Sequence, residues 1–585
     1  MYLTTLTNKR LKWQSLLPDT TPYQALFAKA TQLAPVICSE VQLRLTSSIK
    51  LFCHPQSKSR FMLIKAQESS DYLTLIAQII KNSQSKPTVL YGGDYQIQND
   101  QITWLAAQKG DEPFATKTTC LYQEWVEPEQ LFGCVRRHKD QISLQPGLIH
   151  QVNGGVLILA IHTLLSQPLM WLRLKKMIIQ QRFEWLSPDE KCSLPMVIPP
   201  IPLNLRLVIV GDRHGLGDFH DIEPELSKIA SYGEFETQFP LNNIDDMSLW
   251  CSYINGLQEK NQLPPLANDA WPVLFQQAVR YSGDQHCLPL CPQWLSHQLT
   301  EAALHQETET ITANTLNIAL NNRHWRQSYL AEQLQNEIEL GQIFIQTEGA
   351  VIGQINGLSV LEYPGHPSAM GEPTRISCVV HLGDGEFVDV ERKAELGGNL
   401  HAKGMMIMQA FLISELALEQ PQPFSSSIVF EQSYGDIDGD SASLAELCAL
   451  ISALSQQPIQ QQLAVTGSVD QFGNVLSIGG INEKIEGFFE VCQRRGLTGS
   501  QGVILPTSNI RHLCLHQAVV EAVKNEQFHL WAVDTVAEAL PLLTGLPYSH
   551  ENQTNLLGII QERIAQVHMH DRRRPWPLRW LSWLH

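Results

Sequence analysis

The chain is short of charge, and the charge it has is unbalanced. Asp, Glu, Lys and Arg make up 17% of its 585 residues, against roughly 25% in soluble proteins at large. Acids outnumber bases 59 to 42, for a formal net charge of −17. That excess argues against a general nucleic-acid or membrane-surface binder and leaves only a local basic patch for such work. Long hydrophobic runs are also missing. The longest, around Gly155 to Leu165, is interrupted by His162 and is too short to span a bilayer. The opening residues Met1-Tyr-Leu-Thr-Thr-Leu-Thr-Asn-Lys-Arg10 contain no apolar core of a secretory signal. The expectation is a soluble, cytoplasmic protein without a transmembrane segment. Cysteine is sparse: 12 residues, mostly inside apolar segments such as Ile37-Cys38 and Leu447-Cys448. This pattern suits reduced, buried thiols rather than a disulfide framework. Only His286-Cys287-Leu-Pro-Leu-Cys291 forms a cluster, and no second Cys/His pair lies near it to complete a zinc site.

What is present is apolar bulk. Hydrophobic residues reach 43%, enough for several cores, and the length suggests about three or four domains. The first fifty residues look mixed and helical. Phe61–Lys65 reads as a buried strand followed by a helix from about Tyr72, and Thr88–Tyr91 as another short strand. Gly155–Ala160 and Leu205–Val210 are apolar runs of strand length, separated by a helical stripe at Leu172, Leu174, Met177 and Ile178. Strands alternating with helices predict a parallel α/β layer. Met196–Pro202 is a Pro-rich loop. From about Asp245 to Leu340 strand signals vanish, so a helical subdomain and connecting helix are expected. Strands return after Gly349, at 375–381, 427–430, 463–469, 474–478, 502–506 and 528–533, with helical patterns between them: an α+β or α/β domain of about 200 residues.

The most informative stretch is Gly435-Asp-Ile-Asp-Gly-Asp440-Ser441-Ala-Ser. It follows a strand and precedes a helical stripe at Leu444, Leu447, Ile451 and Leu454, which puts Ser441 on a turn at a helix N-terminus. Free N–H groups and the helix dipole there can stabilise an oxyanion, which suits a nucleophile. A calcium loop is the rival, with Asp436, Asp438 and Asp440 at its first three ligand positions. It fails because Ser441 stands where Gly is needed and Leu447 where Glu is needed. A plain acidic turn capping a helix fits the same residues. A nucleophilic serine needs a base. In Ser477-Ile-Gly-Gly-Ile-Asn-Glu-Lys484 the pattern is strand, Gly-Gly turn, helix, with Asn482 as the expected N-cap. Lys484 has Ile481, Gly487 and Phe488 on its face. Such neighbours could desolvate the amine from its usual pKa of about 10.4 toward neutrality. An exposed surface lysine satisfies the same spacing.

Asp438-Gly-Asp-Ser441-Ala-Ser, Ala464-Val-Thr-Gly-Ser468 and Ile478-Gly-Gly-Ile-Asn-Glu-Lys484, in that order, resemble the proteolytic domain of Lon proteases, of the type with Gly-Asp-Ser in place of Gly-Pro-Ser. Gly353-Gln-Ile-Asn-Gly-Leu, Gly397-Gly-Asn-Leu-His-Ala-Lys-Gly404, Phe430-Glu-Gln-Ser-Tyr434 and Gly502-Val-Ile-Leu-Pro506 agree, and the likeness covers about 340–545. The resemblance implies a Ser–Lys dyad with Ser441 as nucleophile and Lys484 as general base. It implies that Thr466 orients the lysine and that Asp438 pairs with Lys484 in a resting state. It further implies that Glu431, Gln432, Ser433 and Tyr434 line a strand edge where a substrate peptide pairs.

Lon proteases couple this domain to an AAA+ ATPase. No Gly-x-x-x-x-Gly-Lys-Ser/Thr exists here. In its expected place after Phe61–Lys65 the chain reads Ala66-Gln-Glu-Ser-Ser-Asp-Tyr-Leu73, offering phosphates the acids Glu68 and Asp71. Val156–Ala160 resembles a Walker B strand, but Ala160-Ile161 replace the Asp-Glu that serves magnesium and water. Asp212 resembles a nucleotide-sensing residue. The expectation is a degenerate AAA+ scaffold that needs no cofactor and no metal.

The domains are expected at 1–50 (N-terminal segment), 51–245 (degenerate AAA+-like α/β domain), 246–345 (helical subdomain and linker helix), 346–545 (Lon-type proteolytic domain) and 546–585 (C-terminal helix and tail). The tail, Asp571-Arg-Arg-Arg-Pro-Trp576-Pro-Leu-Arg-Trp580-Leu-Ser-Trp583-Leu-His585, suits an interfacial anchor, a partner contact, a nucleic-acid contact or packing on its own or a neighbouring subunit. The expected function is nucleotide-independent proteolysis of unfolded or small proteins in a hexameric ring. A non-proteolytic scaffold and an ATP-binding regulated protease are the alternatives.

Overall fold

The computed structural model describes residues 9–84, 93–98, 101–106, 118–138, 141–187, 194, 196–305, 309–383, 385–416, 423–433, 435, 437–549 and 553–573. The strand expected at Thr88–Tyr91, the groove candidate Tyr434 and the tail beyond 573 lie outside them.

Five parallel strands form the first sheet: β1 (Phe61–Lys65), β2 (Cys120–Gln123), β3 (Val156–Ala160), β4 (Arg206–Gly211) and β5 (Ser231–Glu234), in spatial order β5-β1-β4-β3-β2. The inner strands β3 and β4 carry continuous apolar runs because both of their faces are buried. Alternate residues feed two cores. Met62, Ile64, Ile158, Val208 and Val210 face one, and Phe61, Leu157, Leu159, Leu207 and Ile209 face the other. Helix α1 (Ser70–Ser83), which follows β1, joins the first core, and α2 (Pro168–Gln180), after β3, joins the second. Helix α3 (Arg213–Ile222) follows β4.

The helical subdomain holds α4 (Ile244–Lys260), α5 (Ala270–Ser282), α6 (Pro292–Ala303), α7 (Ala313–Gln327) and the connecting α8 (Tyr329–Glu339). One expectation fails here. Cys287–Pro289 is a short strand between α5 and α6, antiparallel to Gln238–Pro240. Three residues carry too little pattern to announce themselves, and the pairing is made by a partner about fifty positions away.

The second large sheet has seven strands: β6 (Gln354–Leu361), β7 (Met370–Leu382), β8 (Phe387–Asp389), β9 (Phe424–Phe430), β10 (Leu463–Val465), β11 (Gly502–Pro506) and β12 (His529–Val533), in spatial order β8-β9-β7-β6-β10-β11-β12. Helix α9 (Asn399–Leu416) and helix α10 (Ser443–Ser455) pack on one face, and α11 (Ile481–Arg495) on the other. The strands show this division directly: Ile504 of β11 points into the core with α10, while Val503 and Leu505 point into the core with α11. Every residue of α10 is buried.

The predicted strand 463–469 is interrupted. After Val465 the chain leaves the sheet at Thr466-Gly467, because the Gly467 N–H turns to donate to Ser441 O at 2.9 Å. On the other face, α11 approaches β7 backbone to backbone. A Cβ on Gly487 would sit 2.3 Å from Gly371 O, and one on Gly371 would sit 1.9 Å from Glu483 O. Only glycine allows that contact.

The N-terminal segment does not stand apart. Leu11 N–H donates to Leu530 O at 2.8 Å and Ala532 N–H to Lys9 O at 3.0 Å, which covers the outer edge of β12. The chain then crosses to the first domain, where Phe27, Val41, Ile49 and Phe52 enter its core. Among the described residues, no helix is long and apolar enough to cross a membrane.

The glycine contact makes a sharp prediction. Gly487→Ala should destabilise the chain by about 1–3 kcal/mol through overpacking. Gly217→Ala, in α3 with open space around the new methyl, should be neutral or stabilising by up to about 1 kcal/mol. Thermal unfolding of the two variants checks this; equal midpoints would sink the close-contact argument.

Candidate active site

The two expected reactive residues meet where β10 ends. Lys484 Nζ donates to Ser441 Oγ at 2.8 Å and lies 3.5 Å from Thr466 Oγ1. The Thr466 hydroxyl in turn donates to Ser441 O at 3.3 Å. Thr466 N–H is anchored on Ile504 O of β11 at 3.1 Å. One residue at the break in the sheet therefore touches both members of the pair.

Lys484 is 4% exposed. Burial pushes its amine down to about 8, while Asp440 pulls the other way by favouring the charged form. An amine of that kind has a substantial neutral fraction near pH 8, and in that form it can accept a proton from the hydroxyl beside it. The surface-lysine reading is thereby excluded. Ser441 is half-buried in the turn before α10. Ser443 N–H donates to Asp440 O at 3.1 Å and Leu444 N–H to Gly467 O at 3.1 Å, which fixes that turn.

Two local expectations are corrected. Asn482 does not cap α11; Gly480 does, in a left-handed conformation at φ +63°. Asn482 lies in the first turn, where its amide donates to His512 O at 2.9 Å and accepts from Cys514 N–H at 2.8 Å. Asp438 does not pair with Lys484. Its carboxylate accepts from Leu400 N–H at 3.0 Å at the start of α9. The acid whose charge acts on the lysine is Asp440, itself held by the Ser468 hydroxyl at 2.8 Å. The motif already contained Asp440, immediately before the serine, but residue spacing cannot rank three acids in one loop.

Glu431, Gln432 and Ser433 form a turn after β9 rather than a strand edge. Glu431 N–H donates to Arg375 O at 2.8 Å, continuing the pairing with β7, and its carboxylate accepts from Ser377 Oγ at 2.7 Å. Gln432, at φ +57°, binds Phe344 N–H at 2.8 Å and Gln342 O at 2.6 Å. Two of the three described groove candidates are thus tied to the linker and to β7.

A second polar cluster lies under α10, unforeseen from sequence. His401 of α9 faces Asp389 at 3.2 Å and Glu446 at 3.8 Å; His401 and Glu446 are buried and Asp389 is partly so. Burial pushes the Glu446 carboxyl up to about 7.

In the first domain, the loop after β1 and the end of β3 are joined. Glu68 accepts from His162 N–H at 3.0 Å and meets the His162 Nδ1. Trp125 stacks on the His162 ring at 5.8 Å. Ser69 Oγ accepts from Gln293 of α6 at 2.7 Å. Ile161 is fully buried, and its side chain packs over Gly211 and Gly215. Asp212 caps α3 by accepting from Gly215 N–H at 2.7 Å.

Residues 433–544 match the family described as the Lon protease (S16) C-terminal proteolytic domain, and residues 117–232 match the LonB-like AAA domain. A Lon protease homolog of Escherichia coli (strain K12) is 52% identical over 99% of this chain and 99% of that protein. The chain belongs to the Lon protease family. A Lon protease homolog of Haemophilus influenzae is 40% identical over 97% of this chain and 95% of its own length. An archaeal Lon protease of Pyrococcus abyssi is 25% identical over 68% of this chain and 38% of its own length. The seven-stranded domain is thus a Lon-type protease domain, and the five-stranded sheet belongs to a LonB-like AAA module.

The buried lysine sets a pH dependence. Peptide hydrolysis should rise with pH through a limb near pH 8, because only the neutral amine accepts a proton. Asp440→Asn removes the charge that favours the ammonium, so its limb should move to lower pH. A kcat/KM profile on a fluorogenic peptide measures both, and a limb that stays put or moves up in the variant would contradict the electrostatic assignment.

Proposed function

We propose that the chain is a serine endopeptidase that cleaves unfolded or small proteins through Ser441 and Lys484, without hydrolysing ATP. The observation that carries this reading is the 2.8 Å hydrogen bond from a buried lysine to a serine hydroxyl. In the proposed reaction, neutral Lys484 takes the Ser441 proton as Oγ attacks the peptide carbonyl carbon. The tetrahedral oxyanion is held by backbone amides of the turn. Ser443 and Leu444 N–H already have partners, so the amides of Ser441 and Ala442 are the candidates for that task. Collapse expels the amine, which takes the proton from the lysine, and leaves an acyl-serine. Water then attacks the acyl carbon and passes a proton to Lys484; the second tetrahedral intermediate collapses, frees the acid, and Ser441 Oγ takes the proton back from the lysine. Thr466 keeps the amine aimed at Oγ throughout.

The Lon family suggests oligomeric assembly, and we take the assembly to be a hexameric ring that works in the cytoplasm, with its sites facing an enclosed chamber. The LonB-like module then acts as scaffold and gate. A nucleotide phosphate with magnesium does not fit the residues at its expected place. Glu68 would set a carboxylate against the phosphates, and it is already engaged by His162. The side chains of Ala160 and Ile161 offer no carboxylate to a metal and no base to water. No step of the mechanism passes through a nucleotide.

Degradation of casein with and without ATP and magnesium tests both halves. Cleavage should proceed equally in either condition and fall by at least about a thousandfold in Ser441→Ala. Strict dependence on ATP would overturn the scaffold half; cleavage that survives the serine variant would overturn the dyad.

A further inference from the structure

The helix that carries Lys484 is gripped from outside the protease domain. Arg280 stands on α5 of the helical subdomain and inserts its guanidinium between two carboxylates of α11. Nη1 and Nη2 bind the two Glu486 oxygens at 2.6 and 2.8 Å, and Nη2 also binds Glu483 Oε1 at 2.9 Å. Nη1 reaches Cys514 O at 2.8 Å as well. Glu483 and Glu486 lie one residue before and two residues after Lys484, in the first turns of the same helix. Burial pushes the Glu486 carboxyl up, but the Arg280 charge more than offsets this and holds it below its ordinary value. A bidentate guanidinium–carboxylate pair of this kind fixes orientation as well as distance.

The remaining sides of that turn are also held. Asn482 is bonded to the 512–514 strap, Glu486 accepts from His516 N–H at 2.8 Å, and Gly487 lies against the backbone of β7. The helical subdomain contributes Arg280 to this set, and Gln335 of α8, whose amide donates to Gly487 O at 3.2 Å further along α11; of the two, Arg280 is the one that holds the carboxylates on either side of Lys484. A second pair, Arg511–Asp284 at 2.5 Å, joins the same two domains without touching α11.

We propose that Arg280 is a positioning residue for peptide hydrolysis: through it the helical subdomain of the AAA module sets the first turn of α11 and so the placement of the Lys484 amine against Ser441. This rests on the Ser441–Lys484 reading. It gives the module a mechanical route to the reacting atoms that requires no nucleotide. If Arg280 is removed, Glu486 stays buried without its counter-charge, and α11 must shift to hydrate it. Lys484 shifts with it. A displacement of about 1 Å at a catalytic group can cost on the order of a hundredfold in rate.

The test is steady-state kinetics of the full-length chain on a fluorogenic peptide small enough to need no unfolding. Arg280→Met keeps the aliphatic stem and should lower kcat by about tenfold or more with KM within about twofold. Arg280→Lys should recover part of the loss. Asp284→Asn, which loosens the same domain junction away from α11, should leave both constants unchanged. Should Arg280→Met fail to fold, the triple variant Arg280→Met, Glu483→Gln, Glu486→Gln leaves no buried unpaired ion but still lacks the guanidinium tether from α5, and should lower kcat by about threefold or more. Wild-type kcat in either variant would overturn the proposal, as would an equal loss in Asp284→Asn. Activity that persists in Ser441→Ala would instead overturn the dyad reading beneath it. Activity that requires Ser441 but is indifferent to Arg280 removes only this inference.

Discussion

A lysine can take a proton from serine only if it arrives without one of its own. In the proposed reaction that requirement is a neutral amine 2.8 Å from a hydroxyl, and the packing around Lys484 suits it. Water must be kept off Nζ, so α11 is driven against the sheet until its backbone touches β7. The serine must reach the same point from the opposite face, so β10 stops after three residues and lets Gly467 hold the Ser441 carbonyl. Thr466 belongs to the break itself and connects the two approaches. Asp440 works against the arrangement by favouring the ammonium. Its exposed position lets solvent weaken that pull.

The LonB-like half obeys a different rule. Its sheet depends on strands whose alternate residues fill two cores, and β1, β3 and β4 satisfy this without interruption. Nucleotide chemistry in such folds depends instead on residues just past the carboxyl ends of the strands. Here those positions hold Glu68, Ile161, His162 and Asp212, and they contact one another or their own helices. Packing and the positions that could serve a nucleotide occupy separate stretches of the same strands, so residues of one kind can change without disturbing the other.

This separation also explains what could be read from residues alone. Phe61–Lys65 and Gly502–Pro506 were legible as strands because burial on both faces leaves an unbroken apolar run. The Ser441 turn was legible because a Gly- and Asp-rich stretch stands directly before a helical stripe. Lys484 was legible as a candidate but not as buried, since the helix that carries it packs on β7, whose residues lie about a hundred positions away. The assignments that failed turn on orientation. Asn482 and Gly480 both suit the start of a helix, and only the backbone conformation at Gly480 separates them. Asp438 and Asp440 differ by two positions, and the loop sends one to α9 and the other toward the lysine. The short strand Cys287–Pro289 and the pairing of Lys9–Leu11 with β12 depend wholly on distant partners.

The contact between Gly371 and Gly487 has a consequence for how this enzyme can change. Side-chain packing can drift by compensating exchanges, one residue growing as its neighbour shrinks. Two backbones in contact offer no such exchange. At that contact the seat of the lysine is therefore insulated from gradual repacking of the side chains around it. Departure from this geometry would come abruptly, through either of two glycines.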